Sequence, residues 1–251
     1  MPDTGQKALE SRVILITGAA GGLGNVAAKA CAAEGATIIL LDKTIPGLER
    51  VYDDIVSSGA PQPAIYPFDL NGAAEQDYRD LSRIIDEKYG VLHGLLHSAA
   101  EFGVLTPISC LDPATWSTVV NVNLNAPFLL TQVLLPLMRR AEDASIVFTS
   151  DSSARRGRAY WSIYGVSKIA VEGFARTLAD ELESAGVIRV NTLVPGPIAS
   201  PLRKRAYPAE DFSKLAPPET LRCLYRYLLG PASRGITGRI FEGEFYTGSI
   251  G

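Results

Sequence analysis

The stretch from Arg12 to Asp42 constrains this chain more than any other. Arg12–Ile16 is a short apolar strand signal, Thr17-Gly18-Ala19-Ala20-Gly21-Gly22-Leu23-Gly24 follows at once, and Asn25–Glu34 is an alanine-rich helical run. A second strand signal, Thr37–Leu41, ends in Asp42. Glycines between a strand and a helix let the backbone approach a pyrophosphate closely. They also aim the first helical N–H groups, at the positive end of the helix dipole, toward that anion. A glycine turn can equally serve any tight strand-to-helix connection, so the turn alone decides nothing. The carboxylate adds the decisive part: Asp42 stands where a dinucleotide-binding unit accepts hydrogen bonds from the adenosine ribose. Gly18, Ala20, Gly22, Leu23 and Gly24 are therefore candidate phosphate contacts, and Asp42 and Lys43 candidate ribose contacts.

The rest of the chain repeats this alternation. Strand signals fall near residues 12–17, 37–41, 63–68, 92–97, 145–149, 187–194 and 238–242, with helical runs between them, among them 72–89 and 113–140. Asp112 offers a side-chain acceptor and Pro113 a fixed φ at the start of the latter run. Nearly continuous apolar strands such as Leu92–Leu96 fit a parallel sheet covered on both faces. Right-handed crossovers then give a doubly wound parallel α/β sheet of about seven strands, with its ligand crevice at the carboxyl ends of the strands. The expectation is a single domain over residues 1–251. The one long irregular stretch, about 195–218, follows the sixth strand at the ligand edge and reads as a substrate lid.

Composition sets outer limits. With 251 residues, 47% of them apolar, the chain can bury one substantial core. A net charge of -3 argues against a basic nucleic-acid binder. No apolar stretch is expected to reach a bilayer-spanning length, and Met1–Lys7 lacks the charged and apolar regions of a secretion signal. Cys31, Cys110 and Cys223 are scattered, which suggests reduced thiols in a cytoplasmic protein rather than a disulfide framework or zinc site. His93 and His97 flank an apolar strand and are assigned to strand ends; no metal is expected.

A second constellation carries chemistry. Tyr164 and Lys168 lie four residues apart in a helical run, on one face. A phenol, with a pKa of about 10, is a poor proton carrier at neutral pH. A neighbouring ammonium favours the phenolate and lowers that value. The expectation is that Tyr164 acts as general acid or base toward a substrate oxygen, helped by Lys168.

With these residues in hand, the chain resembles the short-chain dehydrogenases/reductases, in the branch whose glycine motif is Thr-Gly-x-x-x-Gly-x-Gly, here Thr17, Gly18, Gly22 and Gly24. Further matches are Asp69-Leu70 after the third strand, Asn123 in Val122-Asn123-Leu124, Tyr164 and Lys168, Arg189-Val190-Asn191, and Pro195-Gly196. The resemblance covers residues from about 10 to 245 and implies a Rossmann fold. It also implies that Lys168 binds the nicotinamide ribose, that Asn123 holds a kink in the helix over 113–140 together with a water linking Lys168 to solvent, and that Pro195, Gly196 and Ile198 close over the nicotinamide. By the same resemblance the helices over 113–140 and 161–184 form a homodimer or homotetramer interface.

Two departures stand out. The family usually carries Asn-Asn-Ala-Gly after the fourth strand. Here His97-Ser98-Ala99-Ala100 stands there, so Ser98, Ala99 and Ala100 would contact adenosine through backbone while glycine's freedom at Ala100 is lost. The family's serine, thirteen residues before the tyrosine, is replaced by Asp151, between Ser150 and Ser152. A carboxylate has no proton to donate there and opposes a phenolate. Three outcomes stay open: Ser152 takes the role, Asp151 is protonated, or carbonyl chemistry is impaired; Ser152 is favoured.

Asp42 would repel a 2′-phosphate, so NAD is expected over NADP, although Lys43 softens that preference. The substrate would be a small alcohol or ketone. It would be anionic or carrier-linked if Arg155, Arg156, Arg158, Arg203, Lys204 and Arg205 steer charge. The main competing reading is a catalytically weak dinucleotide-binding regulator or scaffold, suggested by Asp151. A sugar-nucleotide epimerase fits less well, because the glycine spacing differs.

Overall fold

The computed structural model describes residues 7–243, so both ends of the expected 1–251 unit lie outside the described residues. Among the described residues, seven strands form one sheet: β1 (Val13–Thr17), β2 (Thr37–Asp42), β3 (Ala64–Pro67), β4 (Gly94–His97), β5 (Ala144–Thr149), β6 (Ile188–Val194) and β7 (Ile240–Glu242). All pair in parallel, in the order β3-β2-β1-β4-β5-β6-β7. The order reverses between β1 and β4, and at such a switch point the connections leave in opposite directions and open a crevice at the strands' carboxyl ends.

The two-residue period of the strands sorts their side chains onto two helical layers. Val13 and Leu15 of β1, with Ile39, Leu95, Ile146 and Val190, pack under α3 (Glu75–Tyr89), α5 (Ala126–Met138) and α7 (Ser162–Glu183). Ile14 and Ile16, with Ile38, Leu40, Leu96 and Val147, pack under α1 (Gly22–Ala33), α2 (Ile45–Ser57) and α9 (Arg222–Leu229). The remaining helices are α4 (Pro113–Val120), the short α6 (Ser152–Arg155) and α8 (Pro201–Ala206).

Between α4 and α5 the helix continues through a π-helical turn, Asn121–Asn125, a widening that frequently marks a functional site. Asp112 caps α4, accepting from the Thr115 N–H at 3.1 Å. The expectation that no stretch is long and apolar enough to cross a membrane fails for Pro113–Met138, which passes on length and composition alone. Its inward residues Leu130, Leu134, Leu137 and Met138 lie in the protein core, which accounts for the apolar composition. At the far end of the sheet from the crevice, Asp143 pairs with Arg12 and Arg189, all three buried.

Candidate active site

The crevice divides into two adjoining compartments. The first, about 300 Å³, is lined by the turn residues Gly18, Gly22, Leu23 and Gly24, by Asp42 and Lys43 after β2, by Asp69 and Leu70 after β3, and by Ser98, Ala99 and Ala100 after β4. Two glycines are dictated by close approach. Gly18 has φ +67 and a Cβ there would lie 2.7 Å from the Ala99 Cα; one on Gly24 would lie 2.2 Å from the Gly18 carbonyl oxygen. Thr17 fixes the facing strand end, its hydroxyl accepting from the Ser98 and Ala99 N–H groups at 3.1 Å each. Gly21, which starts α1, supplies no side-chain cap, so the first N–H groups of the helix stay available to an anion. The Ser98 hydroxyl is buried without a partner. These features fit a dinucleotide pyrophosphate and ribose. Ala20 does not line this space; its N–H donates to Asp42 Oδ2. Ala100 is not among the residues with positive φ, so losing the family's glycine costs its backbone nothing.

The second compartment, about 80 Å³, is lined by Ser150, Asp151, Ser152, Tyr164, Lys168, Pro195, Gly196 and Ile198, with Leu202, Arg203, Ala206 and Tyr207 above them. The segment over 195–218 forms that cover. An Ile198–Ala216 bridge closes its neck, Ser200 caps α8 by accepting from the Arg203 N–H, and Pro201 packs against Gly22. Trp161 joins the wall, 5.6 Å from the Tyr207 ring and 5.8 Å from that of Tyr164. Its neighbour Tyr160 is exposed.

Tyr164 and Lys168 are both buried on the inner face of α7. The Lys168 ammonium donates to the Thr149 carbonyl at 2.9 Å and sits 5.7 Å from the centre of the Tyr164 ring. Asn123, in the π turn, clasps the backbone of Glu101, accepting from its N–H and donating to its carbonyl, and donates to Ser167 Oγ. One expectation is reversed. Rather than being lowered by Lys168, the Tyr164 pKa is raised well above its ordinary value, first by burial and then by Asp151. Lys168 is pulled down to about 8 by burial.

The preference for Ser152 at the serine slot is also corrected. Asp151 is the residue that meets Tyr164, accepting from its hydroxyl at Oδ2 over 3.1 Å. Ser152 is exposed at the start of α6, and Ser150 is buried and donates to Glu172 at 2.6 Å. Successive residues leaving a strand alternate in direction, so only position 151 points at the tyrosine. Four of the six expected steering cations are already engaged: Arg155 with Glu172 and Glu242, Arg158 with the Tyr207 hydroxyl, Arg203 with Glu210, and Arg205 with Glu101. His93 accepts from the Val13 N–H, and His97, stacked on Phe148, hydrogen-bonds Thr131. Sequence reasoning missed Glu172, Leu202 and Tyr207. The cover itself was legible as a long irregular stretch, but not which of its side chains turn inward.

The short chain dehydrogenase family model matches residues 12–211. The chain belongs to the short-chain dehydrogenase/reductase family. It is 40% identical over 239 residues to an uncharacterized oxidoreductase, YciK, of Escherichia coli strain K12, covering 95% of this chain and 94% of that one. Among solved members of the family, a short chain dehydrogenase from Shigella flexneri 2a complexed with NADP superposes with a TM-score of 0.92 at 39% identity, covering 95% of this chain and 99% of that one. Another, from Escherichia coli CFT073 complexed with NADPH, gives 0.91 at 40% identity over the same shares. These complexes overturn the expectation of NAD over NADP. Each Asp42 oxygen accepts a backbone N–H, from Ala20 and from Thr44, and Lys43 stands exposed beside it.

Proposed function

We propose that this oxidoreductase uses NADP(H) to interconvert a small secondary alcohol and its ketone, with Tyr164 exchanging the hydroxyl proton. The observation that carries the reading is the buried Tyr164–Lys168 pair facing a closed compartment that shares Leu23, Ser98 and Ala100 with the glycine-lined one. When bound, the nicotinamide supplies or receives the hydride. The N–H groups opening α1 would hold the pyrophosphate, Lys43 the 2′-phosphate, Asp69, Leu70 and Ala99 the adenosine side, and Pro195, Gly196 and Ile198 the ring. Lys168 would hold the ribose hydroxyls, and Asn123 would set the position of α7 through Ser167.

A tyrosine whose pKa is raised keeps its proton at neutral pH. Tyr164 is thereby suited to donate to a forming alkoxide in ketone reduction more than to take a proton in alcohol oxidation. To do so its O–H must turn from Asp151 to the substrate. The segment over 195–218 acts as a lid that opens to admit the reactants, since the inner compartment as closed is smaller than a nicotinamide and substrate together. We assign a homodimer or homotetramer built on α4, α5 and α7, where Trp116, Phe128, Val166 and Ile169 are exposed. We also assign a reducing cytoplasmic setting, suited to the free Cys31, Cys110 and Cys223.

The hydrogen bond between Asp151 and Tyr164 favours one second reading, a dinucleotide binder with little catalysis. Nucleotide titration and a panel of ketones and alcohols separate the two. The enzyme reading expects NADPH to bind more tightly than NADH and Tyr164→Phe to cut turnover by about 10²- to 10⁴-fold with NADPH affinity kept. NADPH binding without any turnover that depends on Tyr164 would leave the binder.

A further inference from the structure

Resting on the ketone-reduction reading, we propose that Tyr207 is the size filter of this site: its ring, held in place by Arg158, admits short aliphatic ketones and turns away those that carry an aromatic arm. Tyr207 is a point where the cover meets the fixed wall. It follows α8, and its N–H donates to the Arg203 carbonyl at 2.9 Å. Its side chain lines the inner compartment, of about 80 Å³, together with Asp151, Tyr164 and Lys168. From the cover, the Arg203 guanidinium lies 3.9 Å from the centre of the Tyr207 ring, and Glu210 holds Arg203 at 2.6 Å on each arm. From the wall, Trp161 lies 5.6 Å away, and Arg158 Nη1 donates to the Tyr207 hydroxyl at 2.7 Å. The Arg158 carbonyl also accepts from the Trp161 N–H at 3.3 Å, so one residue ties Trp161 and Tyr207 together. Tyr160 and Ser162, on either side of Trp161, have φ +71 and +25. Strain of that kind persists where the surroundings over-determine it, and it gathers at functional sites.

The cover opens to admit the reactants, and the reaction needs it shut again, because closure keeps water from the reacting atoms. Leu202 and Ala206 bring only aliphatic groups to the compartment from α8. Tyr207 brings a ring and a tie across the opening to the loop before α7. After burial and Asp151, Tyr207 is a further cause of the raised Tyr164 pKa, as befits a phenol beside the reacting position. A short ketone at Tyr164 leaves the Tyr207 ring room to return under Arg203 and to regain Arg158. A phenyl arm on the ketone competes for the space of that ring and keeps the cover ajar. One methylene too many in a closed pocket is worth about 10- to 200-fold in discrimination, so a whole ring must count for at least that lower figure. Arg158 is exposed, and a hydrogen bond from such a position carries a severalfold effect rather than orders of magnitude.

The test compares butan-2-one with 4-phenylbutan-2-one, methyl ketones that differ by the phenyl group, at saturating NADPH. It reads the ratio of kcat/KM for the larger over the smaller. Tyr207→Ala removes the ring, whereas Tyr207→Phe and Arg158→Met keep it and lose the hydrogen bond. Lys214→Ala is the control, since Lys214 is an exposed cover residue that does not line the compartment. Each variant is checked for folding by thermal melting. Calorimetric binding of butan-2-ol and 4-phenylbutan-2-ol to the enzyme–NADP⁺ complex reads the same filter without turnover. We expect a wild-type ratio below one that rises at least about tenfold in Tyr207→Ala. It should rise about two- to fourfold in Tyr207→Phe and in Arg158→Met, and stay put in Lys214→Ala, with NADPH affinity unchanged throughout. A wild-type ratio above one, an unmoved ratio in Tyr207→Ala, or an equal rise in Lys214→Ala would overturn the proposal. No change in Tyr207→Phe and Arg158→Met would overturn the part given to Arg158. Failure of the ketone-reduction reading looks different: no protein shows turnover that depends on Tyr164, and the alcohol affinities then decide alone. If neither alcohol binds in any protein, both readings fall.

Discussion

Glu172→Gln is the substitution whose consequence the structure quantifies best. Glu172 lies one turn beyond Lys168 on α7 and is 5% exposed. It accepts from Ser150 Oγ at 2.6 Å and from Arg155 Nε at 3.2 Å on both oxygens, and Arg155 reaches on to Glu242 of β7 at 2.8 Å. One buried carboxylate therefore ties the end of β5, α6 and β7 together around Asp151. Glutamine keeps the shape but turns an amide N–H₂ toward Arg155 or Ser150, donor against donor, and removes the countercharge. Removing one partner of a fully buried ion pair costs about 3–5 kcal/mol. The Arg155 side chain is 31% exposed and keeps Glu242, so its stranded charge can turn toward water, and we expect about 2–3 kcal/mol instead. At about 2–4 °C per kcal/mol for a chain of this size, the melting temperature should fall by about 4–12 °C. Calorimetric melting of Glu172→Gln, Arg155→Met and the double variant gives both the loss and the coupling. kcat should fall with NADPH affinity kept, because the disturbed loop carries Asp151. A melting shift within about 1 °C of zero, or strictly additive single effects, would refute the reasoning.

Asp143→Asn should cost more than Glu172→Gln, the full value of about 3–5 kcal/mol, because it strands two guanidiniums, Arg12 and Arg189, whose side chains are 10% and 4% exposed. Lying at the opposite edge of the sheet, it should leave NADPH affinity of the folded protein intact; a smaller melting shift than that of Glu172→Gln counts against this ranking. Burial lowers the His97 pKa from 6.5 to about 3, so the unfolded chain takes up a proton that the fold refuses as pH drops through 6.5. Stability should therefore fall on acidification, by about 2 kcal/mol from this residue at pH 5. Urea midpoints at pH 7 and 5 should show that slope reduced in His97→Asn; equal losses in both proteins would reject it.

What could be read from the chain, and what could not, follows from range. The strands were legible because their side-chain alternation is a property of neighbours, and β1 sorts Val13 and Leu15 from Ile14 and Ile16 between the two helical layers. The glycine turn was legible for the same reason: Gly18 and Gly24 meet backbone that the motif itself brings close. Asp42 was identified correctly as lining the crevice, but the cofactor preference drawn from it was wrong. Its oxygens accept from the Ala20 and Thr44 amides, an arrangement that depends on how the turn and β2 meet. The spacing of Tyr164 and Lys168 placed them on one face of a helix. The opposing carboxylate at position 151 was legible too, but not the burial that is the first cause of the raised phenol pKa. Leu202 and Tyr207 reach the site through the fold of the segment over 195–218, about forty residues from Tyr164 along the chain.

A crystal structure with NADPH and a bound ketone tests the central claim most directly. We expect the Tyr164 oxygen within about 3 Å of the substrate's heteroatom, Lys168 on the nicotinamide ribose, and the reacting carbon against the pyridine ring. A phenol still turned to Asp151, with substrate bound elsewhere, would contradict the account.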